Sequence, residues 1–178
     1  MATINEFSNA FGQGQRATLF RVEGAIPGSS TSTETRTFFI KAAQFPASNI
    51  GFVEVPFKGR KIKRPGDRTF AEWTLTVLQD EDNVVREEFI GWMNSINNHL
   101  TIGGDAPNDS LYPTWFITAL KQDDTVAGGG NNGRIDLFRC FPTEVGTIDF
   151  NYETVDTFAE FTVTLQYDYW LSEGTDGN

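Results

Sequence analysis

The chain has 178 residues, 39% hydrophobic and 13% aromatic, and its 14 basic against 24 acidic side chains give a formal charge of −10. That is enough chain for one ordered domain with a sizeable core, and an acidic body of this kind argues against tight duplex binding because it repels phosphates. A single cysteine, Cys140, and a single histidine, His99, exclude an internal disulfide, a thiolate metal cluster and most nucleophile–base arrangements.

The first residues, Met1-Ala2-Thr3-Ile4-Asn5-Glu6, lack the basic and apolar regions of a secretion signal, and no apolar run approaches the ~20 residues a membrane helix needs. The expectation is a protein made in a cytosol, without a membrane anchor, as one domain over 1–178 with flexible ends at about 1–14 and 172–178. Strands dominate the remainder of the chain. Residues 18–24, 37–43 and 51–58 read as strands, with a Ser/Thr-rich loop at 27–36 between the first two. Over 70–78 the alternation is clear: Trp73, Leu75 and Val77 share one face, Glu72, Thr74 and Thr76 the other.

A helix is predicted over 83–98. Asp80, Glu81, Asp82 and Asn83 offer cap groups and negative charge at its start. Val85, Phe89, Trp92, Met93 and Ile96 recur at helical spacing and read as core. His99 falls near its end, where contact with the last carbonyls is the ordinary role. Loops follow at 103–113 and 127–133, around strands at 115–120, 134–141 and 147–152. Cys140 reads as a small buried apolar residue. The last strand, 160–169, alternates throughout: Phe161, Val163, Leu165, Tyr167 and Tyr169 oppose Glu160, Thr162, Thr164, Gln166 and Asp168.

Little in the chain carries chemistry. Gly128-Gly129-Gly130 lacks the Lys-Ser/Thr of a phosphate loop and reads as a hairpin tip. Asp80, Asp82 and Glu88 are too loosely spaced for a calcium loop, and Asp105 and Asp109 form a pattern common by chance. No catalytic residue, metal site or cofactor is expected.

Charge is the feature that stands apart. Six of the 14 basic residues lie in the eleven-residue stretch from Lys58 to Arg68, with Asp67 the one acid among them. No basic residue follows Arg139, whereas eight acids do. Such a chain has a basic tip and an acidic remainder, so copies attract one another tip to body. A solvated hairpin guarding a sheet edge is the simpler account of the run, and no aromatic platform for nucleic acid accompanies it.

Several ordered motifs add a resemblance. Gly59-Arg60-Lys61-Ile62, then Gly66-Asp67-Arg68-Thr69-Phe70, then Trp73-Thr74 and Val77, resemble the tail tube proteins of T4-type contractile-tailed bacteriophages. Phe89 and Trp92, the Phe141-Pro142-Thr143-Glu144-Val145-Gly146 turn and the Phe161–Trp170 strand fit the same pattern, over about 17–170. The loops at 27–36 and 127–133 look longer than in that pattern.

The resemblance implies a mainly β, two-sheet sandwich or barrel with one flanking helix, whose strands join a ring-spanning barrel in a hexamer. It implies rings stacked into the inner tube of a contractile tail, with sheath, baseplate and terminator proteins as partners and genomic DNA passing through unbound. The place is the virion, after synthesis in the host bacterial cytoplasm. From this and the charge run, Lys58, Arg60, Lys61, Lys63, Arg64, Asp67 and Arg68 are expected between rings, and Asp149, Glu153, Glu160 and Asp168 supply charge to the bore. The rival readings are a tube carrying proteins, as in an injection or type VI secretion particle, and a β-sandwich ligand-binding module. A hydrolase with paired carboxylates is a third.

Overall fold

The computed structural model describes residues 3–11, 14–100, 109–127, 133–152 and 157–172. Helix α1 (Ile4–Phe11) lies in the segment expected as a flexible end, and it stands exposed. Then come β1 (Phe20–Gly24), α2 (Thr33–Phe39), β2 (Ile40–Ala43), β3 (Asn49–Phe57), β4 (Arg60–Thr69), β5 (Trp73–Leu78) and α3 (Val84–Ile96). A 3₁₀ turn (Asp109–Leu111) leads to β6 (Trp115–Ala119), β7 (Arg134–Phe138), β8 (Phe141–Val145), β9 (Glu160–Gln166) and β10 (Tyr169–Ser172).

Two four-stranded antiparallel sheets, β1-β6-β7-β10 and β2-β5-β9-β8, enclose the core, and β3-β4 forms a separate hairpin. The period-2 alternation decides which side chains go in. In β5, Trp73, Leu75 and Val77 are buried; in β9, Phe161, Val163 and Leu165 are. They meet Val22, Ile117 and Leu137 from the other sheet. α3 lies beside β8 and adds Val85, Phe89 and Trp92 to the same core. There Trp92 stacks on Trp115, with ring centroids 6.3 Å apart, and donates its indole N–H to the Leu111 carbonyl at 2.9 Å.

Several predicted boundaries shift. The 160–169 strand breaks after Gln166 and resumes as β10 in the other sheet, and 134–141 breaks after Phe138 in the same way. Both breaks lie at one corner, where strands cross from sheet to sheet; Arg139 adopts φ 57° there and Cys140 is fully buried. The turn expected at 141–146 is β8, bulged at Pro142–Glu144 against β9. Residues 37–39 end a helix instead of starting a strand, and 147–152 form no strand. The predicted helix start holds: of the expected cap groups, the Asp80 carboxylate accepts the Val84 N–H at 2.8 Å, while Asn83 makes no side-chain cap. His99 lies exposed, past the last turn.

Candidate functional site

The basic run forms β4 and the turn before it. Phe57 pairs with Arg60 across Lys58-Gly59, whose φ angles are 44° and 80°. Two positive φ values in a two-residue loop are what the right-handed twist of paired strands demands, and Gly59 takes its share without strain. The hairpin is long. Nine residues in β3 and ten in β4 span about 30 Å at the usual strand rise. Every residue of both strands is exposed except the half-buried Gly66, so among the described residues the hairpin packs on no other strand or helix to any extent.

Register sorts its side chains onto two faces. Direct partners Val53–Arg64, Val55–Ile62 and Phe57–Arg60 share one face, and Phe52–Pro65, Glu54–Lys63 and Pro56–Lys61 the other. On the second face the lysines are satisfied locally: Lys61 pairs with Glu54 at 2.6 Å, and the Lys63 ammonium sits 4.5 Å from the Phe52 ring centre. The first face is a stripe of Val53, Val55, Phe57 and Ile62 flanked by Arg60 and Arg64, which make no ion pair among the described residues. The seven expected inter-ring residues therefore share one projecting element, with Asp67 and Arg68 near its base. The apolar half of the surface, supplied by β3, does not show in the charge run; the alternation Val53-Glu54-Val55-Pro56-Phe57 was its signal.

The outer face of the β2-β5-β9-β8 sheet is a second surface. Thr74 lies opposite Thr164 and Thr76 opposite Thr162, with Glu144 beside Thr164 on the same face. Glu160 ends this face and is ion-paired to Lys41. The Glu72 carboxylate accepts a hydrogen bond from Gln166 at 3.2 Å. The face is thus hydroxyl-rich, with more acid than base. Both edge strands, β2 and β8, have a free side.

Three of the four carboxylates expected in the bore are among the described residues, and those three are not brought together. Glu160 is on this face. Asp149 is exposed in the loop after β8, and Asp168 is at the corner, 3.1 Å from Arg139 Nε. Glu153 lies outside the described residues. Glu144 and Glu72 are the further acids along this sheet; the 70–78 alternation put Glu72 on the polar face with Thr74 and Thr76, but neither acid was among those expected in the bore.

Burial pushes the Cys140 thiol up to about 12, which leaves it protonated and inert. Among the described residues no group of His, Cys, Asp and Glu could hold a metal, and no helix is long and apolar enough to cross a membrane. One buried ion pair is structural: Arg36 Nε lies 3.6 Å from Glu88 Oε2, and Arg36 also donates to the Gly24 and Thr31 carbonyls.

The comparisons with known proteins match this architecture. The family model described as "Phage tail tube protein" matches residues 2–173. The tail tube protein gp19 of Enterobacteria phage T4 is 30% identical over 170 residues, covering 94% of this chain and 98% of that protein. The tail tube protein of Serratia phage KSP90 is 27% identical, covering 94% and 95% of the two chains. Among solved structures, the sheath-tube complex of an extracellular contractile injection system in its extended state superposes with a TM-score of 0.61. Its sequence is 16% identical, and the match covers 96% of this chain and 97% of that one, a likeness of fold. With a projecting hairpin, a hydroxyl-lined sheet and a family match over nearly its whole length, this chain belongs to the phage tail tube proteins, which are structural proteins and not enzymes.

Proposed function

We propose that copies of this chain close into a hexameric ring and that rings stack into the inner tube of a contractile tail, the conduit for DNA ejection. The observation that carries this reading is the β2-β5-β9-β8 sheet. It has an apolar face on the core, a hydroxyl-and-acid face outward, and two free edges. Joining the β2 edge of one copy to the β8 edge of the next removes both and makes the sheet a segment of a closed barrel. The Thr-lined face then borders the bore. Glu160, with Glu144 and Glu72, gives it a charge that repels phosphates, so DNA slides through without holding. Asp149 belongs to the end of the barrel and Asp168 to its outer corner.

The hairpin, with Lys58, Arg60, Lys61, Lys63, Arg64, Asp67 and Arg68, is the connector between rings. The outer wall meets the sheath, and the tube's ends meet baseplate and terminator proteins. The subunit is made in the host cytoplasm and resides in the virion tail. The phage relatives at about 30% identity support DNA rather than protein as the cargo.

Sedimentation and negative-stain imaging test this. The wild type is expected as hexamers and longer polymers at raised concentration, with tubes that shorten as salt rises. Replacing Arg60, Lys61, Lys63 and Arg64 by Ala is expected to leave rings and shorten tubes. A strict monomer up to the solubility limit overturns the ring, and unchanged tube lengths in the quadruple variant overturn the hairpin's role.

A further inference from the structure

We propose that the end of the β2-β5-β9-β8 sheet remote from the hairpin is the seat on which the hairpin of the next copy docks. The inference rests on the tube reading above and names the surface that reading leaves open.

Strand register defines the two ends. The hairpin leaves from the end where Ala43 of β2 and Trp73 of β5 lie; at the other end stand Leu78, Glu160 and Val145. The turn 80–83 after β5 lies at that other end, as do the described residues between β8 and β9, 146–152 and 157–159. They are tied by the Gln79 N–H, which donates to the Ala159 carbonyl at 2.9 Å.

Their surface is the inverse of the hairpin's. Phe150 and Phe158 are 80% and 82% exposed, a level at which large aromatics in one patch mark a contact surface. Together with Asp149 and Glu160 they line a shallow hollow of about 290 Å³. Glu81 and Asp82 are exposed on the adjoining turn. The nearby cation, Lys41, is already held by Glu160. The hairpin offers an apolar stripe flanked by unpaired arginines; this end offers aromatics flanked by acids.

Charge complementarity selects the occupant, a second copy of this chain. The hairpin, at about 30 Å, is longer than any strand of the two four-stranded sheets and has no seat among the described residues of its own subunit. A contact between opposite ends of identical molecules is head-to-tail, and it repeats without closing, which is the geometry of a stack.

The test is co-assembly of two charge-reversed variants. One carries Glu81→Lys, Asp82→Lys and Asp149→Lys; the other carries Lys58→Glu, Arg60→Glu and Arg64→Glu. Each alone is expected to form rings whose tubes are at least about fivefold shorter than wild type, since like charges now face each other at every junction. An equal mixture is expected to regain long tubes, because each hairpin then meets a seat of opposite sign on the other variant.

A lysine-substituted end that stacks alone at wild-type length overturns the seat, and shows that another partner occupies it. Short tubes that the mixture fails to lengthen also overturn the pairing. If the hairpin variant alone stacks normally, it is the connector reading that fails. A neutral variant, Glu81→Gln, Asp82→Asn and Asp149→Asn, guards against misfolding. It is expected to give shorter tubes with a flatter dependence on salt, and a wild-type salt dependence counts against the seat.

Discussion

Trp92 shows how one side chain serves the subunit alone. It is fully buried, stacked on Trp115 and close to Phe89, and its indole N–H is satisfied by Leu111. Trp92→Ala removes that packing and is expected to destabilise the unassembled subunit by about 3–5 kcal/mol in urea melts. Intact stability with lost sheath assembly would instead make α3 an interface. Arg36 and Glu88 form a different kind of buried contact, with side chains only 6% and 9% exposed. Burial works to raise the Glu88 carboxyl, but hydrogen bonds from Thr31 and Ser29 and the Arg36 charge outweigh it and hold it below the usual carboxylate range. A depressed carboxyl stabilises fully above its unfolded pKa and loses that contribution as pH falls through its folded value. Glu88→Ala strands the Arg36 charge and is expected to cost about 3 kcal/mol, whereas Arg36→Met with Glu88→Leu recovers most of the loss. A double variant whose loss equals the sum of the two single losses would show that the pair is not coupled.

At the scale of elements, the hairpin and the body are separate problems. The body's strands are anchored by a common core; the hairpin is held by its own ladder and turn. Gly59→Val places a β-branched residue at φ 80° and strains the turn. It is expected to shorten tubes while leaving the melting transition of the unassembled subunit unchanged, and a lowered transition would mean that the hairpin braces the core. The same separation explains what could be read from the chain. β5, β9 and α3 bury one face against a core, so their periodicity reports their structure directly. β4 has no buried face, so Arg60–Thr69 shows charge and no alternation, and it reads as a run instead of a strand. The break after Gln166 was hidden because the apolar alternation of the sequence runs on to Tyr167 and Tyr169 while the strand changes sheet, and Tyr169, expected on the core face, is exposed; at the corner Arg139–Cys140 the buried residues Leu137 and Cys140 stand three apart, out of the strand period. α2 was hidden by Thr and Phe residues that favour strands, and tertiary contacts to β1 override them.

At the scale of the molecule, the fold was legible because most of its cues are local, and the assembly surfaces less so. The basic residues of the hairpin are a sequence cluster and were visible. The carboxylates were assigned by their place late in the chain; in the fold Asp168 lies at the corner, whereas Glu144 of β8 and Glu72 before β5 flank the Thr-rich face with Glu160. Which acids share a face depends on strand pairing, and pairing is not written in composition. The free edges of β2 and β8 bear on kinetics as well as architecture. An arc of any number of joined copies still carries one open edge at each end, so every incomplete arc has the same exposed backbone, and only the last subunit removes both edges at once. The barrier to assembly therefore sits in completing the first ring, partial arcs stay sparse, and a finished ring is the smallest species with no further lateral demand.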